Sequence, residues 1–145
     1  MQLEPTGKSG RTVPACSITF DGGALGNPGI GYGSYEISQP GRKPTVTRLR
    51  FSDNGEIVTN NQAEYRTLIA ALEDLIERLG PDAGNADLTV RGDSKLVIEQ
   101  VAGRWKVKNV ELKSLCQRAG DLIAVFGRTD LVWQPRAKSV GALGH

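Results

Sequence analysis

Apolar and polar positions along the chain follow two different periods, and the changeover divides it into strands and helices. Ala15 to Phe20 is a short apolar run with β-branched residues, which predicts a strand stopping at Asp21, where Gly22 and Gly23 follow. Gly29 to Ser38 alternates small and large residues and predicts a second strand. Pro40-Gly41 is a turn signal, and Val46 to Phe51 predicts a third strand. From Asn61 to Leu79 the period becomes helical, with Leu68, Leu72, Leu75 and Leu79 plus Ile69 and Ile76 on one face and Gly80-Pro81 as the stop. Leu88 to Arg91 predicts a strand ending at Gly92-Asp93, after which Ser94 caps a helix through Val101 that Gly103 breaks. Leu112 to Phe126 reads as another helix and Leu131 to Trp133 as a last strand before Pro135. A three-strand meander followed by strand–helix alternation predicts an α/β fold: one mixed sheet with helices packed on its faces.

Composition narrows this little. The 145 residues suffice for one domain with a real core, and no repeat, linker or low-complexity block divides them. The expected organisation is a loose tail over residues 1–14, rich in Pro, Gly and charge, and one domain over residues 15–145. A net charge of +2 neither demands nor excludes nucleic acid, because an acidic metal site can offset a basic face. Cys16 and Cys116 lack partners at metal-ligand spacing and read as reduced thiols. No apolar run approaches the roughly 20 residues that cross a membrane, and the first fourteen residues lack a secretory core. These features make a cytoplasmic protein the expectation.

Three acids stand apart from the rest. Asp21 follows one apolar strand, Asp93 ends another, and Glu64 falls in the first turn of the long helix. Charge at such positions is costly unless something positive meets it. Strand ends and a helix start converge readily at one rim of a sheet. Three carboxylates there offer hard oxygen ligands, which suit Mg²⁺ or Mn²⁺ and not zinc. Taken singly, Asp93 also reads as a cap and Glu64 as a dipole partner, while Glu73, Asp74 and Glu77 belong to a solvated helix face. The glycine-rich stretch from Gly22 to Gly29 lacks the Lys-Ser/Thr ending of a phosphate loop and reads as a hairpin that lets a ligand approach closely.

These residues resemble a known family. Phe20-Asp21-Gly22-Gly23 with Gly26-Asn27-Pro28-Gly29 resembles the opening hairpin of type 1 ribonucleases H. Thr59-Asn60-Asn61-Gln62-Ala63-Glu64 resembles its Thr-Asn-Asn-x-x-Glu helix start, and Gly92-Asp93-Ser94 its third acidic motif. All three occur in order, and the likeness extends from about residue 15 to residue 136. The resemblance implies a ribonuclease H-like mixed five-stranded sheet with helices on both faces. It also implies two-metal hydrolysis of the RNA strand of RNA–DNA hybrids, with Mg²⁺ or Mn²⁺ held by Asp21, Glu64 and Asp93. By the same resemblance Asn27, Asn61 and Gln62 reach the hybrid's minor groove. Thr59 touches a DNA phosphate, and the backbone of Gly22 and Gly23 lies near ribose hydroxyls of the RNA.

Two departures qualify the match. The long basic insertion that some members of the family carry is absent, since Gly103 to Asn109 runs almost directly into the next helix. Arg104, Trp105, Lys106 and Lys108 are its modest substitute for holding the hybrid. The chain is thus expected to be a short form acting as a monomer, without an obligatory protein partner. Beyond Pro135-Arg136 the family carries a fourth carboxylate, but residues 137–145 contain no acid, and Gly141 or Leu143 stands in its place. The final helix is therefore expected to be reduced or absent. His145, through its imidazole or its carboxylate, is the candidate replacement ligand. The alternative is a hybrid-binding module with weak or lost cleavage.

Overall fold

The computed structural model describes residues 13–51, 56–136 and 143. Its elements are β1 (Ala15–Leu25), β2 (Ile30–Ser38), β3 (Thr45–Arg50), α1 (Asn60–Leu79), a 3-10 turn (Gly80–Asn85), β4 (Asp87–Gly92), α2 (Lys95–Val101), α3 (Val110–Ile123) and β5 (Arg128–Trp133). The five strands form one mixed sheet in the order β3-β2-β1-β4-β5. β1 pairs antiparallel with β2, and β2 with β3, whereas β4 runs parallel to both β1 and β5.

Two expectations from the sequence need correction. β1 does not stop at the carboxylate: it continues through Asp21, Gly22 and Gly23 to Leu25. The glycines look like turn punctuation, but each has a cross-strand partner, Gly33 for Gly22 and Tyr32 for Gly23. Glu64 is not in the first turn of α1, because the helix starts at Asn60 and its first turn holds no acid. The dipole therefore does not account for Glu64.

α1 forms because its start and stop are both specified. Thr59 Oγ1 accepts from the Gln62 backbone N–H at 3.1 Å, and Gln62 Oε1 accepts from the Thr59 N–H at 2.8 Å, a reciprocal capping box. Gly80 ends the helix at φ 54°, which an L side chain adopts only with strain. Tyr65, Leu68, Ala71, Leu72 and Leu75 are fully buried, and Ile69, Ile76 and Leu79 pack at the margin. They meet Ile18 and Phe20 of β1, Tyr35 and Ile37 of β2, and Leu88 and Val90 of β4 in one core, joined by Val97 and Ile98 of α2 and Leu112, Ala119 and Leu122 of α3. Burial of each large apolar side chain there contributes about 1.5–3 kcal/mol.

The three helices share that core on one face of the sheet. Arg48 points to the other face by register, opposite Ser34. There its guanidinium donates to the carbonyl of Leu143, a helical residue that is 1% exposed. Where the final helix was expected to be reduced or absent, the described residues are Arg136 and Leu143, and both are helical. No helix among the described residues is long and apolar enough to cross a membrane.

Candidate functional site

Parallel pairing of β1 with β4 puts Phe20 opposite Gly92. One step further along both strands lie Asp21 and Asp93, so the ladder itself delivers two carboxylates side by side. The third arrives with α1, which crosses β1 over Gly22. A Cβ on Gly22 would lie 2.7 Å from the Ala63 carbonyl oxygen and 2.9 Å from Glu64 Cα. The missing side chain is what lets the helix approach and brings Glu64 into range. Carboxylate oxygens of Asp21, Glu64 and Asp93 all lie within 4.8 Å of one another. The three acids singled out in the sequence are thus brought together.

The electrostatics of the cluster call for a cation. Asp21 is 3% exposed. Burial pushes the Glu64 carboxyl up to about 7, and the negative charges of Asp93 and Asp21 add to the rise. The Ser94 hydroxyl and the Arg136 guanidinium oppose it without prevailing. Ser94, not Asp93, caps α2, accepting from Val97 N–H at 3.3 Å. This removes the capping explanation for Asp93 and leaves its carboxylate to the cluster. Closely spaced hard oxygens from three half-buried or buried acids fit Mg²⁺ or Mn²⁺.

Residues that the sequence did not assign complete the rim. Trp133 donates its indole N–H to the Asp93 carbonyl at 3.0 Å, and the Lys95 ammonium stands 5.5 Å from the centre of its ring. Arg136 places Nη1 3.2 Å from Asp93 Oδ2 and 3.6 Å from Asp21 Oδ2. The Pro135-Arg136 pair was visible in the sequence, but its contact with the acids depends on how β5 ends against β4.

Asn27, Thr59, Asn61 and Gln62 also converge, lining a depression of about 300 Å³ with Asn109, Glu111 and Leu112 from the start of α3. Asn27 Oδ1 accepts from the Asn60 N–H at 3.0 Å, and Asn60 Oδ1 accepts from the Ala24 N–H at 2.8 Å. The β1–β2 turn is thereby locked to the start of α1. Gln62 donates from Nε2 to Glu111 Oε1 at 3.0 Å while its oxygen completes the capping box. Glu111 had no signal in the sequence, lying 49 residues away on another helix. Gly22 and Gly23 have packing tasks, since α1 fills the space beside the first and the Tyr32 ring the space beside the second.

The basic segment after α2 is only partly gathered with these. Arg104 is ion-paired with Glu99 and lines a separate hollow with Thr129 to Val132 at the β5 edge. Trp105, Lys106 and Lys108 are exposed, and the Lys106 carbonyl accepts from Gln100 Nε2. Trp105 is 44% exposed. His145 and Gly141 lie outside the described residues.

Comparisons with known proteins place the fold. A family model described as reverse transcriptase-like matches residues 49–142. The bifunctional protein Rv2228c of Mycobacterium tuberculosis is 41% identical over 126 residues, covering 86% of this chain and 32% of its own length. Ribonuclease HI of Halobacterium salinarum is 36% identical over 122 residues, covering 81% of this chain and 55% of its own. The chain therefore spans about a third of the first relative and a little over half of the second. The N-terminal RNase H domain of Rv2228c, solved as a fusion with maltose-binding protein, superposes with a TM-score of 0.75 at 37% identity, covering 88% of this chain and 87% of that one. The LC11 RNase H1 in complex with an RNA/DNA hybrid gives 0.76 at 31% identity, covering 88% and 90%. Fold and relatives agree over most of the sequence, and the chain belongs to the type 1 ribonuclease H family.

Proposed function

We propose that this chain is a ribonuclease H that hydrolyses the RNA strand of RNA–DNA hybrids endonucleolytically, using two divalent ions, Mg²⁺ or Mn²⁺. The observation that carries the reading is the meeting of Asp21, Glu64 and Asp93 within 4.8 Å, beside a depression walled by Asn27, Asn61 and Gln62. The hybrid in the solved complex of the LC11 relative supports the choice of substrate.

Asp21, Glu64 and Asp93 are the residues that would hold the ions. Ions bound there would supply a water of lowered pKa and charge stabilisation for the departing oxygen of a phosphodiester. The chain's own residues do the rest. Burial of Asp21 and packing of α1 on Gly22 fix the spacing of the acids before any ligand arrives. The capping box holds Thr59 and Gln62 in one rotamer each, so the wall facing the hybrid is rigid. Amide side chains at the depression meet base edges and sugars without demanding a sequence. The 2′-hydroxyl and the duplex shape distinguish a hybrid from DNA or single-stranded RNA. Lys95 beside Trp133, and the exposed Lys106 and Lys108, would supply phosphate contacts.

A second reading, a hybrid-binding module with weak or lost cleavage, has one observation in its favour: residues 137–145 supply no acid to the cluster. One gel separates the two. A labelled hybrid incubated with the protein and Mg²⁺ or Mn²⁺ is cut under the first reading, and under the second it is retarded but intact.

A further inference from the structure

Three carboxylates this close repel one another, and the fold answers with a cation of its own. Arg136 reaches Asp93 at 3.2 Å and Asp21 at 3.6 Å. Among the described residues it is the cation ion-paired with the cluster. Its two ends differ. The backbone leading to it is fixed: β5 ends with Trp133 opposite Gly92, Gln134 N–H donates to the Gly92 carbonyl at 2.9 Å, and the Trp133 indole holds the Asp93 carbonyl. The side chain, by contrast, is 63% exposed, while those of Asp21 and Asp93 are 4% and 10% exposed. A guanidinium on a long stem thus covers two nearly buried acids from the solvent side, with water available to it on departure.

We infer that Arg136 is an internal counter-ion of the acid cluster, displaced when a divalent cation enters, and that it thereby sets the affinity for metal. This rests on the reading of the cluster as a metal centre. Both contacts are made by one nitrogen, Nη1, and neither is the two-pronged pairing that makes an arginine–carboxylate contact strong. A single-nitrogen contact from a guanidinium that is itself mostly in water holds the acids less firmly than a bidentate pair. A divalent ion bonds carboxylate oxygens at about 2.1 Å with twice the charge. It therefore wins the acids, and the guanidinium turns to water. Until then Arg136 keeps the acids together, and its charge opposes the arrival of a second positive ion. A unit charge this close to a carboxylate alters cation binding by about tenfold or more.

The test uses the full chain without substrate, with Mn²⁺ as the titrant in a calorimeter. Relative to the unmodified protein, Arg136→Gln is expected to bind Mn²⁺ about tenfold more tightly. Arg136→Lys, which keeps the charge, should stay within about threefold. In a chelator, Arg136→Gln should melt at a lower temperature and gain more from added Mn²⁺. Equal or weaker Mn²⁺ binding by Arg136→Gln, with normal binding by the parent, overturns the counter-ion role and leaves the metal centre standing. Absence of Mn²⁺ binding in every form overturns both. A measurement on the unmodified protein removes any dependence on folding of the variants. The Arg136 Nε–H resonance should exchange faster with water once Mg²⁺ is added, and indifference to Mg²⁺ overturns the proposal.

Discussion

Gly22 and Gly33 face each other across β1 and β2, and α1 lies in the trough that these two missing side chains leave. A Cβ on Gly22 would collide with the backbone of Ala63 and Glu64, and one on Gly33 with the side chain of Thr67. The distance between Asp21 and Glu64 is therefore governed by a residue that carries no chemistry. Gly22→Ala is expected to push α1 outward, costing about 1–3 kcal/mol of stability. It should also cut hybrid cleavage far more than hybrid binding, since the acids separate while the amide-lined depression lies further along the helix start. Chemical denaturation together with a cleavage assay checks this. Equal activity at unchanged stability would show that the close approach is not needed.

Asp21→Asn and Asp93→Asn each remove a charge and keep the shape of the side chain. Folding should survive, with melting temperatures in a chelator unchanged or higher, because one repulsive charge has left the cluster. Cleavage should fall by roughly 10³-fold or more, the scale on which one member of a coupled catalytic set acts. A folded variant that keeps near-normal cleavage would remove the proposed site.

Much of this site was legible in the sequence, because Asp21 and Asp93 directly follow strand-like runs and Glu64 lies shortly after the start of a long helix. What the sequence obscured is instructive. Gly22-Gly23 looks like a turn in one dimension, and only a neighbouring strand and helix reveal it as a place for close packing. Asp93 and Ser94 compete for the cap of α2 on paper, and the hydroxyl wins in space. Arg136 and Glu111 touch Asp93 and Gln62 across 43 and 49 residues respectively, with no periodicity to announce either pairing. The 3-10 turn after Gly80 was likewise hidden, since Gly80-Pro81 reads simply as a stop.

The pH dependence follows from Glu64, raised to about 7 by burial first and by the neighbouring carboxylates second. Below pH 4.5 the group is protonated whether the chain is folded or not, so it contributes nothing to the slope. Between about 4.5 and about 7 the unfolded chain releases the proton while the folded one retains it, so stability falls as pH rises. Above about 7 the loss is complete. In a chelator the melting temperature should therefore decline across this window, and Glu64→Gln should flatten the decline. Mg²⁺ binding, which needs the ionised form, should tighten with pH up to about 7 and then level off. A melting temperature that rises through the same window in the parent but not in Glu64→Gln would reverse the sign argued here.

The contact between Gln62 and Glu111 bears on recognition of the proposed substrate. The Gln62 amide donates to the Glu111 carboxylate, an exposed contact of 3.0 Å at the wall of the depression. A hybrid entering there meets a negative charge and a donor already in use. Glu111→Ala removes both obstacles and leaves the capping box on the other side of Gln62 intact, so the start of α1 should hold. Hybrid binding should tighten by about three- to fivefold, the scale of one exposed charge at an interface rim. Gln62→Ala should weaken it, because the cap and the amide are lost together. Binding of every form should fall with added salt, since phosphate contacts release counterions. Cleavage should spare single-stranded RNA and duplex DNA in all of them. Fluorescence anisotropy on a labelled hybrid across a salt series measures the affinities. Weaker binding by Glu111→Ala at low salt would mean that the carboxylate orients Gln62 for the hybrid instead of competing with it.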